Sequence, residues 1–296
     1  MLGVVNLDKP VGPTSHDMVG LMRRLTGTRR IGHAGTLDPL ASGVLPILVG
    51  LATRFSEELT GGKKRYDATI RLGSRSVTDD AEGPITPSDA ALPVVDAVAA
   101  ALEVFVGSTE QLPPAFSARK QGGVVAHRAA RSGRALELPP RRVTIEAVEL
   151  LGTEAGDGWL DVRIDLRCGA GTYVRSLARD LGETLGCGGY LVALRRTEAA
   201  GLRAADAITP DRLAALANAG RLSEVVLSVA DLLPLPRLML KGPEADRFLH
   251  GAVLHLTDRG GEGRHAVYRA GELLGIGTLR AGTLQPEKVI VLAGAG

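Results

Sequence analysis

At 296 residues, 45% apolar but only 3% aromatic, the chain has material for about two domains whose cores rest on Leu, Val, Ala and Ile. It has no run of 18 or more apolar residues, its start (Met1–Lys9) lacks the basic and apolar regions of a signal peptide, and its two cysteines, Cys168 and Cys187, support neither a disulfide framework nor a zinc site. A membrane span and a structural metal are therefore set aside, and a cytoplasmic location is expected. The net charge of +2 hides three blocks: +5 over residues 1–75, −7 over 76–110 and +6 over 111–145. Two basic blocks around an acidic one suggest a local anion-binding surface, with nucleic-acid phosphate as the obvious anion.

In chain order, Asn6-Leu7-Asp8-Lys9-Pro10 closes a short apolar segment, and Val11-Gly12-Pro13 turns. Thr14 and Ser15 offer an N-cap, Met18, Leu21, Met22 and Leu25 recur at helical spacing, and Gly27 is a stop. Val44–Val49 reads as a strand, with Pro46 as a reservation because it lacks a ladder donor. Tyr66, Ala68, Ile70 and Leu72 alternate with polar residues, the period of a half-buried strand. That puts Tyr66 on the apolar face, beside Lys63-Lys64-Arg65. Residues 74–87 read as an acidic loop and 96–105 as an Ala-rich helix. Residues 111–145 form an irregular excursion that runs into a basic helical stretch with Arg128, Arg131 and Arg134.

Leu160–Arg167 alternates cleanly and leads through Cys168-Gly169-Ala170-Gly171-Thr172 into a helix that buries Val174, Leu177, Ala178, Leu181 and Leu185 and stops at Gly186. Arg175 lies off that stripe in the first turn, where a cation opposes the helix dipole. From this segment alone it points into water. Leu191–Arg196 is a further strand, 209–227 a surface helix and Asp231–Pro236 a linker. His265–Tyr268, Glu272–Leu279 and Lys288–Leu292 suggest a small β domain.

The stretch Gly32-His33-Ala34-Gly35-Thr36-Leu37-Asp38-Pro39-Leu40-Ala41-Ser42-Gly43 gathers one carboxylate, one imidazole and three glycines. Pro39 drives Asp38 toward an extended backbone, and glycine lets the main chain approach a ligand closely. By itself the pattern equally describes a turn in which Asp caps its own backbone. The chain carries no H-E-x-x-H, paired-Cys, P-loop or dinucleotide motif and no nucleophile elbow. The reactive candidates are Asp38 in its glycine loop, Tyr66 at a strand end and Arg175 at a helix start.

That stretch resembles the signature of the TruB-type tRNA pseudouridine synthases, which modify uridine 55 in the T arm. The likeness continues, in order, through Leu7-Asp8-Lys9-Pro10, Lys64-Arg65-Tyr66, Leu112–Ala118, Cys168–Arg175, Gly186-Cys187-Gly188 and Leu194-Arg195-Arg196. It implies an α+β fold: a pseudouridine synthase core on a mixed, mainly antiparallel sheet over residues 1–235, with an RNA-binding excursion at about 111–145. Residues 236–296 would form a small C-terminal β-barrel of the PUA type.

The resemblance also implies isomerisation of uridine to pseudouridine with no cofactor and no metal. The partner would be the T arm of tRNA, with no obligatory protein partner, no membrane and a monomeric state. Residue by residue, it makes Asp38 the catalytic aspartate, Tyr66 the ring that stacks on the target base and Arg175 the arginine paired with the carboxylate. His33 would engage the T loop, and Lys9, Tyr173 and Leu194 would line the pocket. In the excursion, many members carry Tyr-Glu where this chain has His127-Arg128. Whether the carboxylate attacks as a nucleophile or takes a sugar proton stays open. Rival readings are an RNA-binding protein without chemistry, a nucleoside glycosidase and a guide-RNA-dependent synthase.

Overall fold

Strand alternation sets the architecture, which a computed structural model describes over residues 2–116, 120–121, 124–125, 136, 138–256 and 259–290. The first half contains β1 (Gly3–Lys9), α1 (Ser15–Thr26), β2 (Ile31–His33), β3 (Ala41–Val49), α2 (Ser56–Thr60), β4 (Lys64–Leu72), β5 (Ser74–Ser76), β6 (Ile85–Pro87), α3 (Val95–Glu103), β7 (Gly107–Gln111), β8 (Lys120–Gln121) and β9 (Val124–Val125). The second half contains β10 (Arg141–Gly156), β11 (Trp159–Cys168), α4 (Val174–Thr184), β12 (Gly189–Ala199), β13 (Leu202–Arg203), α5 (Pro210–Asn218), β14 (Arg237–Met239), α6 (Gly242–Leu249), β15 (Leu254–His255), β16 (Gly263–Arg269), β17 (Glu272–Arg280) and β18 (Thr283–Val289).

Nine strands make one sheet in the order β1-β3-β12-β4-β11-β10-β7, with β2 on β3 and β13 on β12. Its pairings are antiparallel except β3 with β12, so the sheet is mixed and mainly antiparallel, as expected. On β4 the predicted alternation holds: Tyr66, Ala68, Ile70 and Leu72 are buried. They join one core with Met18 and Met22 of α1, Leu102 of α3, Leu177 and Leu181 of α4 and Leu213 of α5. Each such fully buried Leu or Ile contributes about 1.5–3 kcal/mol. The intervening residues form a ladder of opposite charges on the other face: Arg65 with Asp165, Asp67 with Arg163 and Arg71 with Asp161.

Local signals place α1 as read. The Thr14 hydroxyl accepts from Asp17 N–H at 3.1 Å, the Asp17 carboxylate accepts from Thr14 N–H at 2.8 Å, and Gly27 ends the helix at φ +66°. Pro46 sits inside β3 without cost to the ladder. Its carbonyl accepts from Ala34 N–H, so its missing donor faces the same edge, between the stretch that pairs with β12 and the stretch that pairs with β2.

Several expectations are corrected. The acidic loop at 74–87 contains the β5–β6 hairpin. The excursion closes earlier than 145, because Arg141–Ile145 already pair with β7 as the start of β10. Its basic stretch with Arg128, Arg131 and Arg134 lies outside the described residues. The surface helix at 209–227 is helical only to Asn218; Gly220 (φ +71°) turns the chain into a 3-10 turn at Leu222–Val225. The strand expected at Lys288–Leu292 is instead β18, and 291–292 lie outside the described residues.

In the C-terminal part, an open sheet runs β14-β16-β17-β18-β15 and packs against α6. It is a half-barrel where a closed barrel was expected: β14 and β15 are its two unpaired edges among the described residues. A helix within this small β unit carries no strand period and was not anticipated. Nor is the expected linker a tether. Leu233 is buried, with Leu232 and Leu235 packed beside it, in an apolar cluster that joins Val44, Leu48 and Phe55 to Ala266, Tyr268 and Ile276, fusing the two sheets through one core.

Candidate active site

Gly43 explains why the Asp38 loop lies where it does. In the parallel pairing of β3 with β12, Arg196 opposes Gly43, and a side chain there would lie 2.2 Å from the Arg196 carbonyl oxygen. The strands approach this closely only because residue 43 is glycine at φ +99°. On the other edge of β12, Arg196 opposes Tyr66 and Leu194 opposes Ala68 of β4. The glycine loop, Leu194, Arg196 and Tyr66 are thus brought to one end of the three central strands.

Side chains then fix the loop. Ser15 Oγ donates to Leu37 O at 2.9 Å and accepts from Leu37 N–H at 2.8 Å. The buried Arg196 guanidinium donates to Val44 O at 2.7 Å, Gly35 O at 2.9 Å and Thr36 O at 3.4 Å. Lys9 Nζ donates to Ala41 O at 2.6 Å and Pro10 O at 2.9 Å. Burial lowers the Lys9 ammonium to about 8. Lys9 is therefore a buried strut behind the loop and not the pocket wall it was expected to be, because its ammonium finds its carbonyl partners on the backbone side.

Arg175 likewise departs from the expectation that it points into water. Its side chain is only 6% exposed, and it bridges two carboxylates: Asp38 at 3.0 Å through Nη2 and Asp80 at 3.4 Å through Nη1. Nη1 also donates to Thr78 O at 3.1 Å and Nη2 to Phe116 O at 2.9 Å. Asp80 is 3% exposed and accepts from Thr78 Oγ1 and Glu82 N–H, whereas the Asp38 side chain is 42% exposed. Both Nη groups of the guanidinium are thus engaged, its buried Nε has no partner among the described residues, and it presents an accessible carboxylate on its outer side.

That carboxylate stands between two cavities. The inner one, about 260 Å³, is walled by Tyr66, Leu194, Tyr173, Val174, Lys64 and Arg196 and takes in Asp38 and Arg175. The outer one, about 610 Å³, shares Thr36, Leu37, Asp38 and Arg175 and adds His16, His33, Val77, Asp80 and Phe116. Burial, offset in part by Arg196, raises the Tyr66 hydroxyl, so it is a neutral phenol. Burial, then Arg196 and His16, lowers the His33 imidazole, which is neutral near pH 7. Its buried Nδ1 has no partner among the described residues. A larger cavity, about 760 Å³, lies by Lys63–Arg65, Glu198–Gly201 and Asp231–Pro234 and contains none of Asp38, Tyr66 or Arg175. Chemistry, not volume, singles out the smaller pair.

Of the predicted residues, the structure brings Asp38, Tyr66, Arg175, Tyr173 and Leu194 around one chamber, sets His33 in the adjoining one and puts Lys9 behind the loop. Asp80, Arg196, Lys64 and Gln111 were missed. Gln111 is buried and bonds both main-chain groups of Tyr173, accepting at 2.8 Å and donating at 3.0 Å. Asp80 sits in a run of acids with no periodicity, so no local signal distinguished it from its neighbours. Lys64 and Arg196 lay inside motifs that were read only for their neighbours.

The sequence matches two family models: "TruB family pseudouridylate synthase (N terminal domain)" over residues 23–174 and "tRNA pseudouridylate synthase B C-terminal domain" over 175–234. Similar curated proteins include the tRNA pseudouridine synthase B of Ralstonia pickettii (strain 12J), 39% identical over 98% of this chain and 94% of that protein. Another is that of Mycobacterium sp. (strain KMS), 45% identical over 85% of this chain and 84% of that protein. Among solved structures, the fold is similar to a chain of a Cbf5-Nop10-Gar1 complex, with TM-score 0.76 and 26% identity over 97% of this chain and 84% of that one. It is also similar to a chain of an H/ACA ribonucleoprotein bound to a substrate RNA containing 2'-deoxyuridine, with TM-score 0.75 and 25% identity over 99% and 86%.

Proposed function

This chain belongs to the TruB family of pseudouridylate synthases and isomerises uridine to pseudouridine in tRNA, and on that premise we propose that Asp38 is its catalytic carboxylate, acting on uridine 55 of the T loop. One observation carries the assignment: the only strongly exposed member of the Arg175 ion cluster is the Asp38 side chain, and it opens on a chamber walled by Tyr66 and Leu194. A chamber of this size takes one extruded nucleoside and not a duplex, so the base must be flipped to reach it.

The reaction breaks the C1′–N1 bond, turns the uracil and joins C1′ to C5; the C5 proton is released and N1 takes up a proton, so the product is an isomer of the substrate. Asp38 acts on the sugar or base while Arg175 holds its carboxylate in place. Tyr66, a neutral ring on the chamber floor, stacks on the base. The walls of Leu194, Val174 and Tyr173 keep water from the detached uracil, which favours re-attachment over hydrolysis. His33 faces the outer cavity, where the rest of the folded loop is received through splayed bases and shape. The excursion supplies phosphate contacts, and the C-terminal half-barrel serves as a PUA-like RNA-binding unit.

The test is tritium release from tRNA labelled at C5 of uridine. The wild-type chain alone should release tritium from a bare T-arm hairpin without change in RNA mass. Asp38→Asn should release none while binding the hairpin nearly as well. Normal turnover by Asp38→Asn would overturn the assignment, and free uracil with an abasic site would point to a glycosidase.

A further inference from the structure

One turn beyond Arg175, helix α4 directs a second guanidinium at the same two backbone segments. Arg179 Nη1 donates to Asp79 Oδ2 at 2.9 Å, and Nη2 donates to Leu112 O at 2.9 Å. Nε and Nη2 also share Asp180 Oδ1 at 2.9 and 2.8 Å. Residues four apart on a helix lie on one face, so the two arginines reach the same neighbours. Arg175 takes Thr78 O and Asp80 where Arg179 takes Asp79. Arg175 takes Phe116 O where Arg179, with Ser176 Oγ at 2.8 Å, takes Leu112 O.

Asp79 is itself unusual. Its φ is +61°, a left-handed value seldom adopted by residues other than glycine, and its side chain is 14% exposed. Its main chain is tied to β12, with Asp79 O accepting from Leu191 N–H at 3.0 Å and Ala81 N–H donating to Leu191 O at 2.9 Å. Two consecutive aspartates, Asp79 and Asp80, thereby meet two different arginines of one helix face.

We infer that Arg179 is a positioning residue for the isomerisation: through Asp79 and Leu112 it fixes the two segments whose oxygens surround Arg175, and so holds the guanidinium that orients Asp38. The inference rests on the roles given above to Asp38 and Arg175. An ion pair serving the fold alone would stabilise the chain without touching the chemical step.

The charged groups facing Asp79 are Arg179, Arg175 and Asp180 of α4, beside its chain neighbour Asp80. Burial raises the Asp79 carboxyl to about 6, against the pull of Arg179 and Arg175. As pH falls through that value Asp79 takes up a proton and its hold on Arg179 weakens.

The experiment measures single-turnover pseudouridine formation, tRNA affinity and melting temperature for wild type, Arg179→Met, Arg179→Lys, Asp79→Asn and the Arg179→Met/Asp79→Asn double variant as a function of pH. Arg179→Met should slow the step about tenfold, the scale of a small misorientation at the reacting centre, with affinity nearly unchanged. Arg179→Lys, which keeps the charge for Asp79 but loses the fork that also reaches Leu112, should recover part of the rate. Asp79→Asn, neutral at every pH, should carry a reduced rate with no inflection near pH 6, whereas the wild type should lose rate only as pH falls through about 6. The double variant leaves no unpaired carboxylate at residue 79 and should be no slower than Arg179→Met. An unchanged rate at every pH, a loss accounted for by affinity or melting, or strictly additive losses in the double variant would overturn the inference. Absence of pseudouridine with the wild-type chain would instead overturn the reading beneath it.

Discussion

Two charge clusters in this molecule are centred in opposite senses. Beside the inner chamber a buried cation, Arg175, sits between two carboxylates, and one of them, Asp38, keeps 42% of its side chain exposed. At the junction of the two sheets a buried carboxylate, Glu58, sits between two cations. Its side chain is 2% exposed and meets Arg264 at 2.6 Å and Lys288 at 2.9 Å. Burial would raise the Glu58 carboxyl, but hydrogen bonds from Arg264 and Lys288 outweigh it and leave the group below its ordinary 4.5. Both clusters pair charge where water is scarce. They differ in which member remains reachable. A carboxylate held open by a buried guanidinium is available for chemistry; one enclosed by two partly exposed cations is a fastener.

The sharpest way to break this contrast is to substitute the buried central member of each cluster in turn. Arg175→Lys keeps a cation for buried Asp80 but loses the planar fork that also serves Asp38, Thr78 O and Phe116 O. It should lower the rate of pseudouridine formation by about 10²-fold, the scale expected from lost preorganised charge, with little change in melting temperature. A rate near wild type would remove Arg175 from the mechanism.

Next in size, Glu58→Gln should cost about 2 kcal/mol of unfolding free energy, less than for a wholly buried pair because Arg264 keeps Glu287 and Lys288 keeps Glu57. Pseudouridine formation well below the melting temperature should be unchanged. A loss of turnover by folded Glu58→Gln would mean that the junction is part of the active machinery. The same cluster sets a sign for pH. A carboxyl lowered by folding contributes stability that is present above its unfolded value, near 4.5, and is lost as pH falls through its lower folded value. Acid melting curves of wild type and Glu58→Gln should therefore converge below that range, and a gap that widens on acidification would contradict the pairing.

The smallest effect concerns recognition. Replacing Arg119, Lys120, Arg128 and Arg131 by Ala should reduce the slope of log affinity for tRNA against log salt by at most about 4, with the rate on bound RNA retained. An unchanged slope would take the excursion out of the RNA interface.

How much of this was legible in the sequence varies with the range of the interactions. The alternation at Tyr66–Leu72, the capping of α1 by Thr14 and Gly27, and the glycine loop at Asp38 were all read from neighbours a few residues apart. The half-buried helix of Arg175 was read correctly too, but the fate of its cation was not. A helix that opposes a guanidinium at its first turn states a need for a partner without naming it. Asp80 was invisible because its loop has no period, and Lys9 was misplaced because a strand shows which face a residue takes but not what packs behind it. The junction around Glu58, Arg264 and Lys288 joins residues about 200 positions apart, beyond any local pattern.

The sequence alone determined most secondary elements of the catalytic core and the residue types available for chemistry, because periods of two and 3.6 and capping side chains are local properties; the mainly antiparallel sheet was implied by the family resemblance and not by any period. Only the tertiary structure decided that Arg175 would be buried between Asp38 and Asp80, that Lys9 would brace the loop from behind and that the C-terminal half-barrel would share a core with β1 and β3. Those outcomes depend on which distant charges and apolar faces meet when the strands close. A buried charge or apolar surface takes whichever partner the strand order delivers.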